Sequence, residues 1–182
     1  FMGMRKISPY AKEISPVEYL DRLKVLTKKV LVANANYDVS ELTKLAETGA
    51  KYIYQPLYSG EICNSVIDFK TVLENFGGNF GLSTQSFASD RSFSLLKLAN
   101  ELNKDGLLDI VELIKYLTLY PAKILRLENS IGSIEVGKDA DFNVFKLEDN
   151  EDYRALARME FPYSTYSKGR KLVKRGKVRF SL

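Results

Sequence analysis

Asp139 and Asp141, in Gly-Lys-Asp-Ala-Asp, have the spacing of an acid/base or calcium-binding pair. The same spacing suits the start of a β-hairpin, and that structural use is the one expected. Cys63 is the only cysteine, and the 182-residue chain has no histidine, so neither an internal disulfide nor a thiol–imidazole dyad can form. The expected role of Cys63 is that of a small buried hydrophobe. Gly77-Gly78-Asn79-Phe80-Gly81 lacks the lysine and the hydroxyl residue of a phosphate-cradling loop and precedes an apolar strand instead of following one, so it reads as a turn. Glu148-Asp149-Asn150-Glu151-Asp152 reads as a solvated loop. At the other extreme of charge, Lys168 to Arg179 holds seven basic residues and no acid. That segment contains no interleaved aromatics and no reader motif, so nucleic acid is not the expected partner.

Composition bounds what surrounds these residues. With 45% apolar residues the chain can bury one good-sized core. The net charge is +4, and the basic segment alone contributes +7, which leaves −3 for the remainder. No apolar run is long enough to span a bilayer, and the N-terminal FMGMRKISPYAKEIS lacks the apolar core of a signal peptide, so a soluble, cytoplasmic protein with no membrane contact is expected.

The hydrophobic pattern supplies the elements. A β-rich run at 30–33 is followed by a helical stretch, Ser40 to Gly49, in which Leu42, Leu45 and Ala46 share a face ahead of a capping glycine. A second strand near 52–56 precedes helical spacing from Val66 to Phe76, and a third near 80–84 precedes a leucine-rich helix ending at Leu102. This strand–helix alternation predicts parallel strands with right-handed crossovers, an α/β fold. Two further helices are expected, about Leu108 to Leu119 and Pro121 to Leu127, then antiparallel β at Asp141 to Lys146 and at Lys171 to Phe180 around Lys174-Arg-Gly-Lys177. Leu147 to Tyr166 is expected to be a loop with a short helix.

PAKILRLENSIGSIEVGKDADFNVF, Pro121 to Phe145, and SKGRKLVKRGKVRF resemble the passage of the amidohydrolase superfamily in which the last barrel helix returns to a small β-sandwich. FGLSTQSFASDRSFSLLKLANEL, from Phe80, is similar to the eighth-strand passage of that superfamily. ETGAKYIYQPLYSG, from Glu47, is similar to the seventh, and SPVEYLDRLKVLTKKVLVANANYD, from Ser15, to the approach to the sixth. The nearest branch contains chlorohydrolases, adenosine-type deaminases and aminofutalosine deaminases. The resemblance implies the second half of a TIM-like (β/α) barrel over residues 1–130 and a β-sandwich segment over 131–182, with the family's N-terminal half not represented.

The resemblance also implies where chemistry would be. The family's sixth-strand histidine falls on Asn34 and its eighth-strand aspartate, metal ligand and proton shuttle, on Gln85. Leu57, Tyr58 and Ser59 stand in place of a seventh-strand arginine, serine and asparagine. Active relatives are expected to hold zinc or iron, whereas amides are poor ligands and cannot take the proton of a metal-bound water. No metal or other cofactor is therefore expected in this chain, which is expected to be catalytically inactive. The strand ends would offer Asn36, Tyr37, Gln55, Leu57, Tyr58, Thr84, Ser86 and Phe87, a neutral and partly aromatic lining suited to a planar small molecule such as a nucleoside. A half-barrel leaves strand edges open, so a homo-oligomer or a separate N-terminal half is expected to cover them.

Overall fold

The computed structural model describes residues 14–33, 38–56, 67–84 and 94–178. The chain divides into two compact units, Phe1–Ser92 and Phe93–Leu182.

Among the described residues the first unit opens with α1 (Pro16–Arg22), where Ser15 accepts a hydrogen bond from the Glu18 amide at 3.1 Å and Pro16 opens the helix. β1 (Leu31–Val32) leads to α2 (Val39–Glu47), closed at its start by a capping box. There the Asp38 carboxylate accepts from the Glu41 amide at 2.9 Å, and the Glu41 carboxylate accepts from the Asp38 amide at 3.3 Å. Gly49 follows at φ +73°, a left-handed conformation that releases the chain towards β2 (Lys51–Tyr54). α3 (Phe69–Phe76), capped by Asp68, and β3 (Phe80–Leu82) follow among the described residues. The strands lie in the order β1-β2-β3 and both pairs are parallel, with Leu31 opposite Lys51 and Tyr52 opposite Phe80. All three are shorter than the pattern predicts. The strands end at Val32, Tyr54 and Leu82, and Pro56 has no N–H to extend the middle ladder further.

Burial along β2 alternates, placing Tyr52 and Tyr54 on the face that packs against Phe76 and Phe69 of α3. Phe80 meets both Tyr54 and Phe69 edge-on. With Leu42, Leu45 and Val72, these rings form the buried core, each such side chain stabilising by about 1.5–3 kcal/mol relative to exposure.

The second unit opens with α4 (Leu95–Leu102), α5 (Ile110–Leu117) and α6 (Leu119–Leu125). Asp109 caps α5, so that helix starts two residues later than the apolar pattern predicts. α6 starts earlier, with Pro121 within its first turn. Four antiparallel strands follow, β4 (Phe142–Val144), β5 (Ser164–Ser167), β6 (Arg170–Lys174) and β7 (Lys177–Val178), paired in chain order. Two-residue turns join the last three: Lys168-Gly169 at φ +46° and +74°, and Arg175-Gly176 at φ +51° and +71°. One expectation needs correction. The Leu147 to Tyr166 segment does hold a short 3₁₀ helix, Tyr153–Arg158, but Ser164 to Tyr166 belong to β5. Ser-Thr-Tyr-Ser carries no apolar alternation, and its strand conformation comes from hydrogen-bonding neighbours on both sides. The fold is thus mixed α/β, and among the described residues no helix is long and apolar enough to cross a membrane.

Candidate functional site

Because β1, β2 and β3 are parallel and paired in register, their C-terminal ends fall on one edge of the sheet. In open parallel sheets and barrels that edge carries the binding site, since the loops leaving it converge. The residues described there are Ala33 after β1, Gln55 and Pro56 after β2, and Ser83 and Thr84 after β3. The Ser83 amide donates to the Tyr54 carbonyl at 3.0 Å, which continues the β2–β3 ladder one step towards this edge. Gln55 is buried, 8% exposed, and the strand's period of two puts it on the face of Lys51 and Ile53, away from the aromatic core. Thr84 is half-buried. Of the lining expected from the sequence, Gln55 and Thr84 are the members the structure places. Asn34, Asn36, Tyr37, Leu57, Tyr58, Ser59, Gln85, Ser86 and Phe87 lie outside the described residues, as does Cys63.

Two groups near this edge escape a reading based on strand ends alone. Tyr54, immediately before Gln55, buries its ring and donates its hydroxyl to the Ile67 carbonyl at 2.7 Å, which ties the start of α3 to the end of β2. Burial pushes the Tyr54 phenol far above its ordinary range, with the Tyr52 and Asp68 charges adding to it, and burial raises Tyr52 to about 12. Both phenols are neutral at physiological pH and neither can serve as a base. The second group is Glu41, a buried carboxylate in the first turn of α2. One oxygen closes the capping box, and the Asp38-x-x-Glu41 spacing is the sequence signal that could have found it.

The divalent metal implied by the family resemblance does not fit the residues described here. The chain offers no imidazole, the strand-end side chains are an amide and hydroxyls, and among the described residues no three acidic or sulfur ligands converge. In Gly-Lys-Asp-Ala-Asp the structural contacts come from the Asp139 main chain and the Asp141 side chain. The Asp139 amide donates to the Ser130 carbonyl at 2.8 Å, and the Asp141 carboxylate accepts from the Lys168 amide at 2.6 Å, which pins the β5–β6 turn to the start of β4.

Comparison with known proteins places this arrangement. The Amidohydrolase family profile matches residues 6–172. A 5'-deoxyadenosine deaminase from Methanobrevibacter smithii is 28% identical over 141 residues, covering 72% of this chain and 32% of that protein. A 5-methylthioadenosine/S-adenosylhomocysteine deaminase from Thermoanaerobacter pseudethanolicus is 27% identical, covering 74% of this chain and 33% of the relative. The chain therefore spans about a third of the length of the curated relatives it matches. Among solved structures, an adenosine deaminase from Xanthomonas campestris with bound zinc superposes with a TM-score of 0.77 at 18% identity, over 97% of this chain and 44% of that one. Atrazine chlorohydrolase from Arthrobacter aurescens complexed with zinc superposes with a TM-score of 0.72 at 16% identity, over 98% and 43%. The extent of the profile match, from the approach to β1 through β6, settles the classification: this chain belongs to the amidohydrolase family.

Proposed function

We propose that this chain is an amidohydrolase-family protein whose strand ends have exchanged metal-assisted hydrolysis for neutral recognition of a planar small molecule. The observation that carries this reading is the chemistry of the sheet edge, where Gln55, Ser83 and Thr84 stand without a histidine in the chain. Asn34 and Gln85, at the family's ligand positions, extend the same character. A buried amide can fix a ring nitrogen or an exocyclic amine at about 0.5–1.5 kcal/mol net per hydrogen bond, but it cannot lower the pKa of a water. The deaminase relatives act, by their names, on 5'-deoxyadenosine and on 5-methylthioadenosine or S-adenosylhomocysteine, all adenosine derivatives, which supports a nucleoside as the ligand class. In this reading residues 1–130 correspond to the second half of a (β/α) barrel and 131–182 to part of the β-sandwich, with the open edges covered by another copy or by a separate half.

The full chain, purified and incubated with zinc, is expected to retain less than one ion per chain by elemental analysis and to release no ammonia from 5'-deoxyadenosine or adenosine. Chelator-sensitive ammonia release would overturn the proposal. Nucleosides are expected to raise the melting temperature; a ligand at a hundred times its Kd adds about 2.7 kcal/mol. Absence of any shift at saturating nucleoside would remove the recognition role.

A further inference from the structure

Strand pairing gathers Lys171, Lys174 and Lys177 of the basic segment onto one face and adds rings to it that the segment itself lacks. Phe142 on β4 stands opposite Tyr166 on β5, which stands opposite Lys171 on β6. One row along, Ser164 stands opposite Lys174, which stands opposite Lys177 on β7. Directly opposed residues share a face. The side chains agree with this register. The Phe142 and Tyr166 rings stack at 4.5 Å between centroids, and the Lys171 ammonium lies 4.9 Å from the Tyr166 centroid. On the other face, Thr165 donates to the Asn143 side chain at 2.8 Å. At the edge, the Arg175 guanidinium donates to the Tyr163 hydroxyl at 3.1 Å.

Among the described residues the cations of this sheet have no ion-pair partner. Lys168, Arg170, Lys171, Lys174, Arg175 and Lys177 are all exposed, and none forms an ion pair with a described carboxylate. Five acids of the same unit pair elsewhere, Glu112 with Lys115, Glu135 with Lys138, Glu151 with Arg158, Asp152 with Arg154 and Glu160 with Lys97, and Asp141 is met at the sheet by the Lys168 main-chain amide, not by a cationic side chain. The Lys174–Lys177 pair sets like charges directly across a ladder, which is destabilising. A polyanion removes that repulsion. Lysines on adjacent strands, whose backbones lie about 4.8 Å apart, carry flexible stems that let their ammonium groups spread to neighbouring phosphates of one strand, and the aromatic column beside them gives bases an apolar rim. Membrane surfaces are met more commonly by amphipathic helices that sink apolar side chains into the interface, and this surface is a charged sheet.

We propose that the β4–β7 face binds single-stranded nucleic acid through its phosphates, without base-sequence preference. Fluorescence anisotropy of labelled oligouridylate and oligothymidylate against the full chain tests it. Binding is expected at low salt, with log K falling against log salt at a slope of about −2 to −3, as for three or four phosphate contacts on a single strand. The triple substitution Lys171→Ala, Lys174→Ala, Lys177→Ala should weaken binding at least about tenfold and flatten the slope by about 2, while Lys104→Ala, an exposed lysine outside the sheet, leaves both unchanged. If the triple variant fails to fold, Lys174→Gln and Lys177→Gln decide, each expected to weaken binding by roughly two- to threefold. No binding at low salt, unchanged affinity in the lysine variants, or tighter binding to phosphatidylserine vesicles than to either oligonucleotide would overturn the proposal, the last in favour of a membrane surface.

Discussion

Phe80 in β3 has no exposed surface, whereas Leu172 in β6 is 43% exposed. The two sheets that contain them are held by different forces. In the parallel sheet the aromatic face of β2 and β3 is sealed by α3, and burial of Tyr52, Tyr54 and Phe80 carries the stability. In the antiparallel sheet β6 is exposed along most of its length, and the ladder, two glycine turns and one ring column define the register instead. A sheet of the first kind resists change in its side chains. A sheet of the second kind leaves its surface free to be written in charge.

The difference can be broken most strongly from the buried side. Phe80→Ala is expected to cost about 3–5 kcal/mol, against about 0.5 kcal/mol for Leu172→Ala. Chemical unfolding of the two variants, compared by midpoint, measures the contrast, and equal losses would show that the antiparallel sheet has a core of its own. Alkaline pH probes the same asymmetry more gently. Tyr52 is raised to about 12 in the folded chain from an ordinary value near 10, so the folded state holds its proton after the unfolded state has released it. Stability from this group is intact below pH 10 and is lost as pH rises towards 12, by about 2 kcal/mol. Tyr52→Phe should remove that part of the pH dependence in a pH series of thermal melts. The smallest effect has the opposite sign. Lys174→Glu places a carboxylate across from Lys177 and should stabilise the hairpin by roughly 0.2–1 kcal/mol at low salt, a gain that high salt erases.

Where a local signal sets the structure, the sequence is readable. The Asp38–Glu41 capping box, Gly49 after α2 and the Arg175-Gly176 turn are each written in two or three adjacent residues. Ser15-Pro16-Val17-Glu18 also carries a helix start, and α1 begins there, within a segment whose resemblance suggests only an approach to a strand. β5 is not readable from Ser-Thr-Tyr-Ser, because only its partners hold it extended. The candidate site divides in the same way. The chain order of strands and helices predicts that Gln55 and Thr84 share one edge, whereas the burial of Glu41 and the bond from Tyr54 to Ile67 depend on packing between elements distant in sequence. The cross-strand meeting of Tyr166 with Lys171 depends on a bulge between Thr165 and Tyr166 that no local pattern announces.

The segment between β4 and β5 is long, acidic and exposed at residues 146–150, which makes it an inviting substrate for a protease. Its far end, however, is stapled to α4. The Asn100 side-chain amide donates to the carbonyls of Leu156 and Met159 at 3.0 and 3.1 Å, and the Ser94 hydroxyl donates to the carbonyl of Glu160 at 2.5 Å. These bonds do not cross the exposed stretch, so a cut after Asn150 leaves them intact, and β4 stays paired with β5 through the ladder. Nicked protein should therefore travel as a single species in a native gel and separate into two bands only when denatured.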